Sequence, residues 1–381
     1  MSQPRGNDFD VVVVGSGAGG LTAAAVAAIE GHRVVLLEAA AQVGGTTAFS
    51  GGMAWLPDNP HMSETGIEDS AAEALEYVLG LTKGHEISRA LVERYINTSR
   101  EMVEYLAKHT PVRFFASQTF SDYFADQPGG KRGGRSLLPQ EYALDRELGE
   151  WSPKVRRSPH FPDTLNLDEL ELIGLGVRGS TILRELEKVP ERYYSTMTVA
   201  EALENQKRRE REGLANNGVA LAGRLLRACL NAGVTIVTKI RVTKPVIEDG
   251  RVTGVIGAGP DGEQAYYGSK GVILATGGFE RNKELVHAYI NSPIVPMSVP
   301  SNQGDGLLIG LDAGAGVGNM TQTIGQPSTW DGQRMFEGAP LYSLSTPRRA
   351  AGCIAVNPAG KRFTNESRTP RRSCGAATIR A

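Results

Sequence analysis

The chain has 381 residues, enough for roughly two or three domains and a sizeable buried core. Lys and Arg number 41 against 42 Asp and Glu, which excludes a strong overall pull toward nucleic acid or an anionic membrane surface. Hydrophobic residues at 40% and charged residues at 22% read as globular, and three scattered cysteines, without metal or disulfide spacing, point to a reducing, cytoplasmic setting.

The N-terminus, MSQPRGNDFD, lacks the order of a signal peptide. Val11–Val14 is a β-branched run suited to a strand buried on both faces. The loop GSGAGG (15–20) follows, then a small-residue helix over 21–30 that Gly31 stops, then a second strand, Arg33–Glu38. Strand, helix and strand in about 30 residues form a βαβ unit and so a parallel sheet. Asp10 and the glycines interrupt the apolar stretch from Phe9 to Ile29, so it is no integral membrane segment.

From Glu68 to His109 apolar residues recur at helical spacing. Residues 110–180, rich in Pro, Gly and aromatics, give no clear assignment. The charge run NQKRRERE (205–212) reads as a solvated helix face. An amphipathic helix is predicted over 218–233 and a strand over 234–240. Asp249-Gly250 and Pro260-Asp261-Gly262 then mark the turns of a three-stranded antiparallel meander. GVILATGG (271–278) returns as a buried strand ending in glycines.

The loop at 15–20 matches G-x-G-x-x-G through Gly15, Gly17 and Gly20, between a strand and a helix as the pattern requires. Gly15 permits the tight turn, Gly17 lets a pyrophosphate approach the backbone, and Gly20 lets the helix pack on the sheet. The helix end offers free N–H groups and positive potential to the phosphates. Glu38 closes the second strand, placed to accept ribose hydroxyls. This pattern does not separate NAD from FAD.

The next segment, GGTTAFSGG (44–52), together with ATGGF (275–279), Asn282 and GDG (304–306), resembles the FAD-dependent fumarate reductase and 3-ketosteroid dehydrogenase superfamily. The resemblance implies FAD, held non-covalently because no His lies in or beside the 44–52 loop. The expected cofactor contacts are Gly15, Ser16, Gly17, Ala18, Gly19, Gly20 and Glu38 from the first unit. Gly44, Gly45, Thr46, Thr47, Ser50, Gly51 and Gly52 come from the second loop, and Val242, Ala275, Thr276, Gly277, Gly278 and Asp305 from later segments. The implied fold is α/β: a Rossmann-like FAD-binding domain over 1–323, with a parallel sheet, the meander and a helical insertion at about 60–205. The beginning of an α+β substrate domain follows over 324–381.

More narrowly, GGMAWLPDN (51–59), FSDYFADQPGG (120–130) with GRS (134–136), and CIAVNPAGKRFTNES (353–367) resemble 3-ketosteroid Δ1-dehydrogenases. That branch implies hydride transfer from C1 of a 3-ketosteroid to flavin N5 while a Tyr base takes the C2 proton. Tyr123 would support the base, and an unidentified acceptor would remove the electrons. A proton beside a ketone is acidified when donors stabilise the enolate.

The base position holds Pro370, which has no acid or base group. From Thr369 onward the resemblance stops, which reads as a truncation near 369, by frameshift or as a genuine short form. The chain alone is therefore expected to bind FAD at most weakly and to be inactive. Two alternatives stay open: a fumarate-type reductase, for which Arg368 is the available arginine, and a non-catalytic FAD-binding fragment. Tyr342 reads as a packed aromatic. No His pairs with a Ser or Cys at a spacing that supports hydrolysis.

Overall fold

A computed structural model gives the fold; it describes residues 7–82, 87–118, 120–160, 162–167, 169–170, 198–290, 294–325, 328–330, 332–344, 354–357 and 359–363. The chain opens with the expected unit, β1 (Asp8–Val14), α1 (Ala18–Ile29) and β2 (Val34–Glu38). The second glycine loop carries a short helix, α2 (Gly45–Phe49). Then come β3 (Ala54–Trp55), α3 (Ala71–Leu81), α4 (Arg89–His109), β4 (Phe114–Ala116), β5 (Ser136–Pro139) and α5 (Leu144–Leu148). The later elements are α6 (Val199–Glu212), α7 (Asn217–Asn231), β6 (Thr235–Thr238), β7 (Arg241–Glu248), β8 (Arg251–Gly259), β9 (Gly262–Leu274), α8 (Lys283–Tyr289) and α9 (Asp305–Asp312).

One six-stranded sheet, in the order β6-β2-β1-β9-β8-β7, organises the molecule. Strands β6, β2, β1 and β9 run parallel. Val12, Val13, Leu36 and Leu37 have no solvent exposure, which explains the unbroken apolar runs in the two central strands. On one face lie α1 and α7, in a core that includes Val13, Leu21, Leu36, Leu225 and Cys229. The small side chains Ala24 and Ala25 let α1 approach closely. The other face joins Val12, Val14, Leu37, Ile240 and Tyr266.

Three expectations change. The third meander strand and the strand at 271–278 are one strand, β9. Its first half pairs antiparallel with β8 and its second half parallel with β1. Its end is not buried: Ile273 is 38% and Leu274 39% exposed. The strand predicted over 234–240 ends at Thr238, because Lys239 turns to φ +63°.

The charge run is not simply a solvated face. Arg209, on α6, is buried and bonds Glu141 at 2.8 Å and the fully buried Glu169 at 2.7 Å. Burial alone would raise the Glu141 pKa, but Arg208 and Arg209 hold it below the usual carboxylate range. Thr198 and Glu201 form a capping box at the start of α6. The helical stretch at 68–109 is two helices, α3 and α4, capped by Ser70 and Ser88. The unassigned region supplies two strands, β4 and β5, which join β3 in a small sheet of order β3-β5-β4. Among the described residues, no helix is long and apolar enough to cross a membrane. Pro370 and the stretch after Thr369 lie outside the described residues, as do Cys353 and Cys374.

Candidate cofactor site

The loops after β1, β2 and β9 leave the same edge of the sheet, beyond the carboxyl ends of its parallel strands. Ligands bind there in open α/β sheets. They enclose a cleft of about 220 Å³. Of the expected contacts, Gly15, Ser16, Gly17, Ala18, Gly19 and Glu38 line it, as do Gly45, Thr46 and Thr47. Val242, Ala275, Thr276, Gly277 and Asp305 complete that set. Residues hundreds of positions apart thus converge as the sequence predicts.

Two glycines are dictated by sterics. Gly15 has φ +101°, and a Cβ there would sit 2.3 Å from the Ala275 carbonyl oxygen. A Cβ on Gly20 would lie 1.9 Å from the Gly15 carbonyl oxygen, so Gly20 packs helix against loop and does not face the cleft. A Cβ on Gly19 would meet nothing within 4 Å, so that side of the helix end is open.

The other expected contacts missing from the cleft wall have structural work. Gly44 donates its N–H to Ser16 Oγ at 3.0 Å, tying the two glycine loops together. Ser50 caps its own loop, accepting from Gly52 N. Gly51 and Gly52 turn inward against Leu167 and Gly218. The Gly278 carbonyl accepts from Gly304 N at 3.1 Å. Asn282 caps α8 by accepting from Glu284 N and Leu285 N.

Glu38 is 6% exposed. Its Oε2 accepts from Ser16 N and Ser16 Oγ, and its Oε1 from Ala40 N at 2.8 Å. An ionised carboxylate has about four acceptor sites, so capacity remains for a ribose hydroxyl. Thr47 Oγ1 accepts from Ala18 N at 2.9 Å, occupying one N–H of the first turn of α1. The remaining first-turn donors and the helix dipole suit a diphosphate.

The sequence reading missed Ile240, Ser301 and Asn302, which also line the cleft. Asn302 Nδ2 donates to Thr46 Oγ1 at 3.1 Å and to Glu280 Oε1 at 2.9 Å, linking the second and third segments. Asp305 pairs with Arg241 at 2.9 Å. Open backbone donors, a ribose-side carboxylate and an apolar wall of Val242 and Ile240 fit the adenosine diphosphate part of FAD.

Tyr123 is not brought to this cleft. It stands 43% exposed on a loop whose neighbour Asp122 is buried. Asp122 pairs with Arg135 at 2.8 Å and accepts from Trp55 Nε1 at 2.6 Å. Arg135, 1% exposed, also grips Asp69 through Nε at 2.8 Å and Nη2 at 2.6 Å. Burial alone would raise the Asp69 pKa, yet the Arg135 hydrogen bonds hold it below the usual range. Tyr342 packs against Trp330 with ring centroids 6.2 Å apart. The Cys229 thiol is pushed up to about 12 by burial and takes no part in thiolate chemistry.

No His neighbours 44–52 in sequence, but His160 arrives there in space, its ring 5.1 Å from that of Phe49 in an edge contact. Burial lowers its pKa, so the imidazole is neutral near pH 7.

Comparison with known proteins agrees with this geometry. Residues 10–380 match the family model described as FAD binding domain. The 3-oxosteroid 1-dehydrogenase of Mycolicibacterium smegmatis is 31% identical over 378 residues, covering 96% of this chain and 63% of that protein. The 4-oxocyclohexanecarboxylate 2-dehydrogenase of Sinomonas cyclohexanicum is 34% identical, covering 96% and 60%. The crystal structure of 3-ketosteroid Δ1-dehydrogenase from Sterolibacterium denitrificans, in complex with 1,4-androstadiene-3,17-dione, aligns with a TM-score of 0.82 at 28% identity. That alignment covers 97% of this chain and 65% of the other. The chain thus spans under two thirds of the length of these relatives. A flavocytochrome c3 fumarate reductase shares the fold, with a TM-score of 0.62 at 19% identity. With its three glycine loops gathered at one sheet edge, the chain belongs to the FAD binding domain family.

Proposed function

We propose that the chain is the FAD-binding portion of a dehydrogenase that oxidises a CH–CH bond beside a ring ketone, with 3-ketosteroids as the substrate class. The convergence of the 15–20, 44–47 and 275–277 loops on one cleft carries this reading. The 3-oxosteroid and 4-oxocyclohexanecarboxylate dehydrogenases among the relatives support the ring-ketone chemistry.

Bound FAD supplies the hydride acceptor. The chain's own residues would hold it non-covalently: the α1 terminus and Gly17 at the diphosphate, Glu38 at the ribose, and Val242 beside the adenosine, all of them lining the cleft. Residues 1–323 form the cofactor domain, and 324–381 begin the substrate domain. Tyr123 takes the position that, beside an intact base, would support it. The base position is Pro370, which has no acid or base group to take the proton. It binds flavin without turning over.

Titration of the purified chain with FAD, followed by flavin fluorescence, tests both halves. Saturable quenching is expected, with no bleaching of the 450 nm region (roughly, for any oxidised flavin) when androst-4-ene-3,17-dione is added without oxygen. Absent quenching overturns the cofactor assignment. Bleaching by the steroid overturns the inactivity.

A further inference from the structure

Three arginines stand around an aromatic cluster that adjoins the second glycine loop. Thr46 and Thr47 line the cleft, and the ring of the buried Phe49, two residues on, meets both His160 and Phe336 edge-on at 5.1 Å. Around this aromatic cluster stand Arg156, Arg281 and Arg334, the last two within electrostatic range of His160.

Arg156 and Arg281 are incompletely compensated, whereas Arg334 donates to Ser343 Oγ at 2.8 Å. Arg156 is 3% exposed; it pairs with Glu337, while its Nε is buried without a hydrogen-bond partner. Arg281 is half-buried, and its Nε and Nη2 both donate to one neutral acceptor, the Ser298 carbonyl. The buried Ser298 hydroxyl also lacks a partner. Glu280 and Glu337 lie within Coulombic range of Arg281 but hydrogen-bond elsewhere, Glu280 to Asn302 and Glu337 to Arg156. Burial accordingly lowers the Arg281 pKa. A half-buried guanidinium without a bonded anion is costly, and a planar carboxylate satisfies its fork.

The cluster is tied to the cleft. Arg281 N donates to Asn302 O at 3.1 Å, and the Asn302 side chain bonds Thr46 in the cleft wall. Arg281 is thus joined through Asn302 to the Thr46 side of the cleft, toward which a dinucleotide held at Glu38 and α1 would extend.

We propose that this cluster is a carboxylate subsite, so that the ring-ketone substrate carries an anionic group recognised by Arg281 and Arg334. The proposal rests on the FAD-dehydrogenase reading above and narrows its substrate class. Such a carboxylate can sit on a single ring or on the side chain of a steroid, and the test distinguishes these sources.

Calorimetric titration of the FAD-loaded chain uses 4-oxocyclohexanecarboxylate, 3-oxochol-4-en-24-oate, the methyl ester of the smaller acid, and neutral androst-4-ene-3,17-dione. At least one acid is expected to bind about tenfold or more tightly than the ester and the neutral steroid, and to weaken as salt rises. Which acid binds identifies the source. R281M should abolish the preference for the acid, and R334M should reduce it several-fold, with FAD fluorescence quenching unchanged. Because Arg334 is exposed, R334M keeps the test available where R281M does not fold. Equal binding of acid and ester, or no acid binding, overturns the subsite. So does a loss of FAD affinity in R334M with an unchanged acid titration, because the cluster then serves the cofactor. Failure of the unmodified chain to quench FAD condemns the cofactor reading instead, and the acid titration without FAD still reports on the arginines.

Discussion

The cofactor end and the C-terminal region of this chain are built differently. At the cofactor end, Val12, Val13, Leu36 and Leu37 have no exposure, and β1 is paired on both sides over Val11–Val14. Between 328 and 344 the chain makes four two-residue strands, β10 (Ser328–Thr329), β11 (Met335–Phe336), β12 (Ala339–Pro340) and β13 (Ser343–Leu344). Apolar side chains there and nearby stand in solvent: Ile324 is 92%, Ile354 65% and Met335 55% exposed. A dinucleotide cradle needs only a buried parallel sheet and loops crossing its edge. A substrate site needs surfaces brought together from elsewhere. Holding FAD and oxidising a substrate are thus separate structural tasks.

The comparison breaks most readily at Gly15. G15A puts a methyl group against the Ala275 carbonyl and forces a side chain into φ +101°. FAD affinity is expected to fall about a hundredfold or more, roughly 3 kcal/mol. G19A is the control within the same loop: its Cβ has no neighbour within 4 Å, so folding should be untouched. Fluorescence titration and a urea transition on both variants check this. Equal effects would mean that loop sterics do not hold the cradle.

Arg135 sharpens the comparison from outside both regions, since its network of Asp69, Asp122 and Trp55 belongs to neither. R135M leaves Asp122 buried without a counter-charge and Asp69 with only Lys131 at 4.0 Å, and should cost about 3–5 kcal/mol in urea unfolding. The pH dependence follows in sign. The Asp69 pKa is lower folded than unfolded, so its stabilisation is present above the unfolded value. It disappears as pH falls through the folded value. The unmodified chain should lose stability on acidification below about pH 4. R135M should start weaker and lose less. A stable R135M would show that the triad is dispensable.

What the sequence made legible follows from range. Gly15, Gly17 and Glu38 are readable because one βαβ unit contains both the pattern and its geometric reason. Asn302 and Ile240 line the same cleft without a local signature; the sheet order alone brings them there. Gly51 and Gly52 share the composition of a cofactor loop, yet they face Leu167 and α7. Composition could not tell these uses of glycine apart. Arg209 looked solvated within a charge run, because its partners Glu141 and Glu169 are 68 and 40 residues away. Likewise His160, absent from the flavin loop in sequence, reaches Phe49 through the fold.

The smallest expected effect separates scaffold from ligand at one side chain. Thr47 caps α1 through its hydroxyl, which accepts from Ala18 N at 2.9 Å, and it also lines the cleft. T47V keeps the shape and removes the acceptor. Without FAD the change should cost about 1 kcal/mol, as for a lost helix cap. With saturating FAD, two outcomes are distinguishable in the urea midpoint. If the diphosphate takes the Ala18 N–H in place of the hydroxyl, the cost shrinks, because the freed donor finds an anion. If Thr47 instead donates its own hydroxyl to the phosphate, the cost grows by about another 1 kcal/mol. The open helix end favours the first outcome: Gly17 and Gly19 leave room for the phosphate to reach the backbone directly. T47V should therefore be less destabilising with FAD than without it.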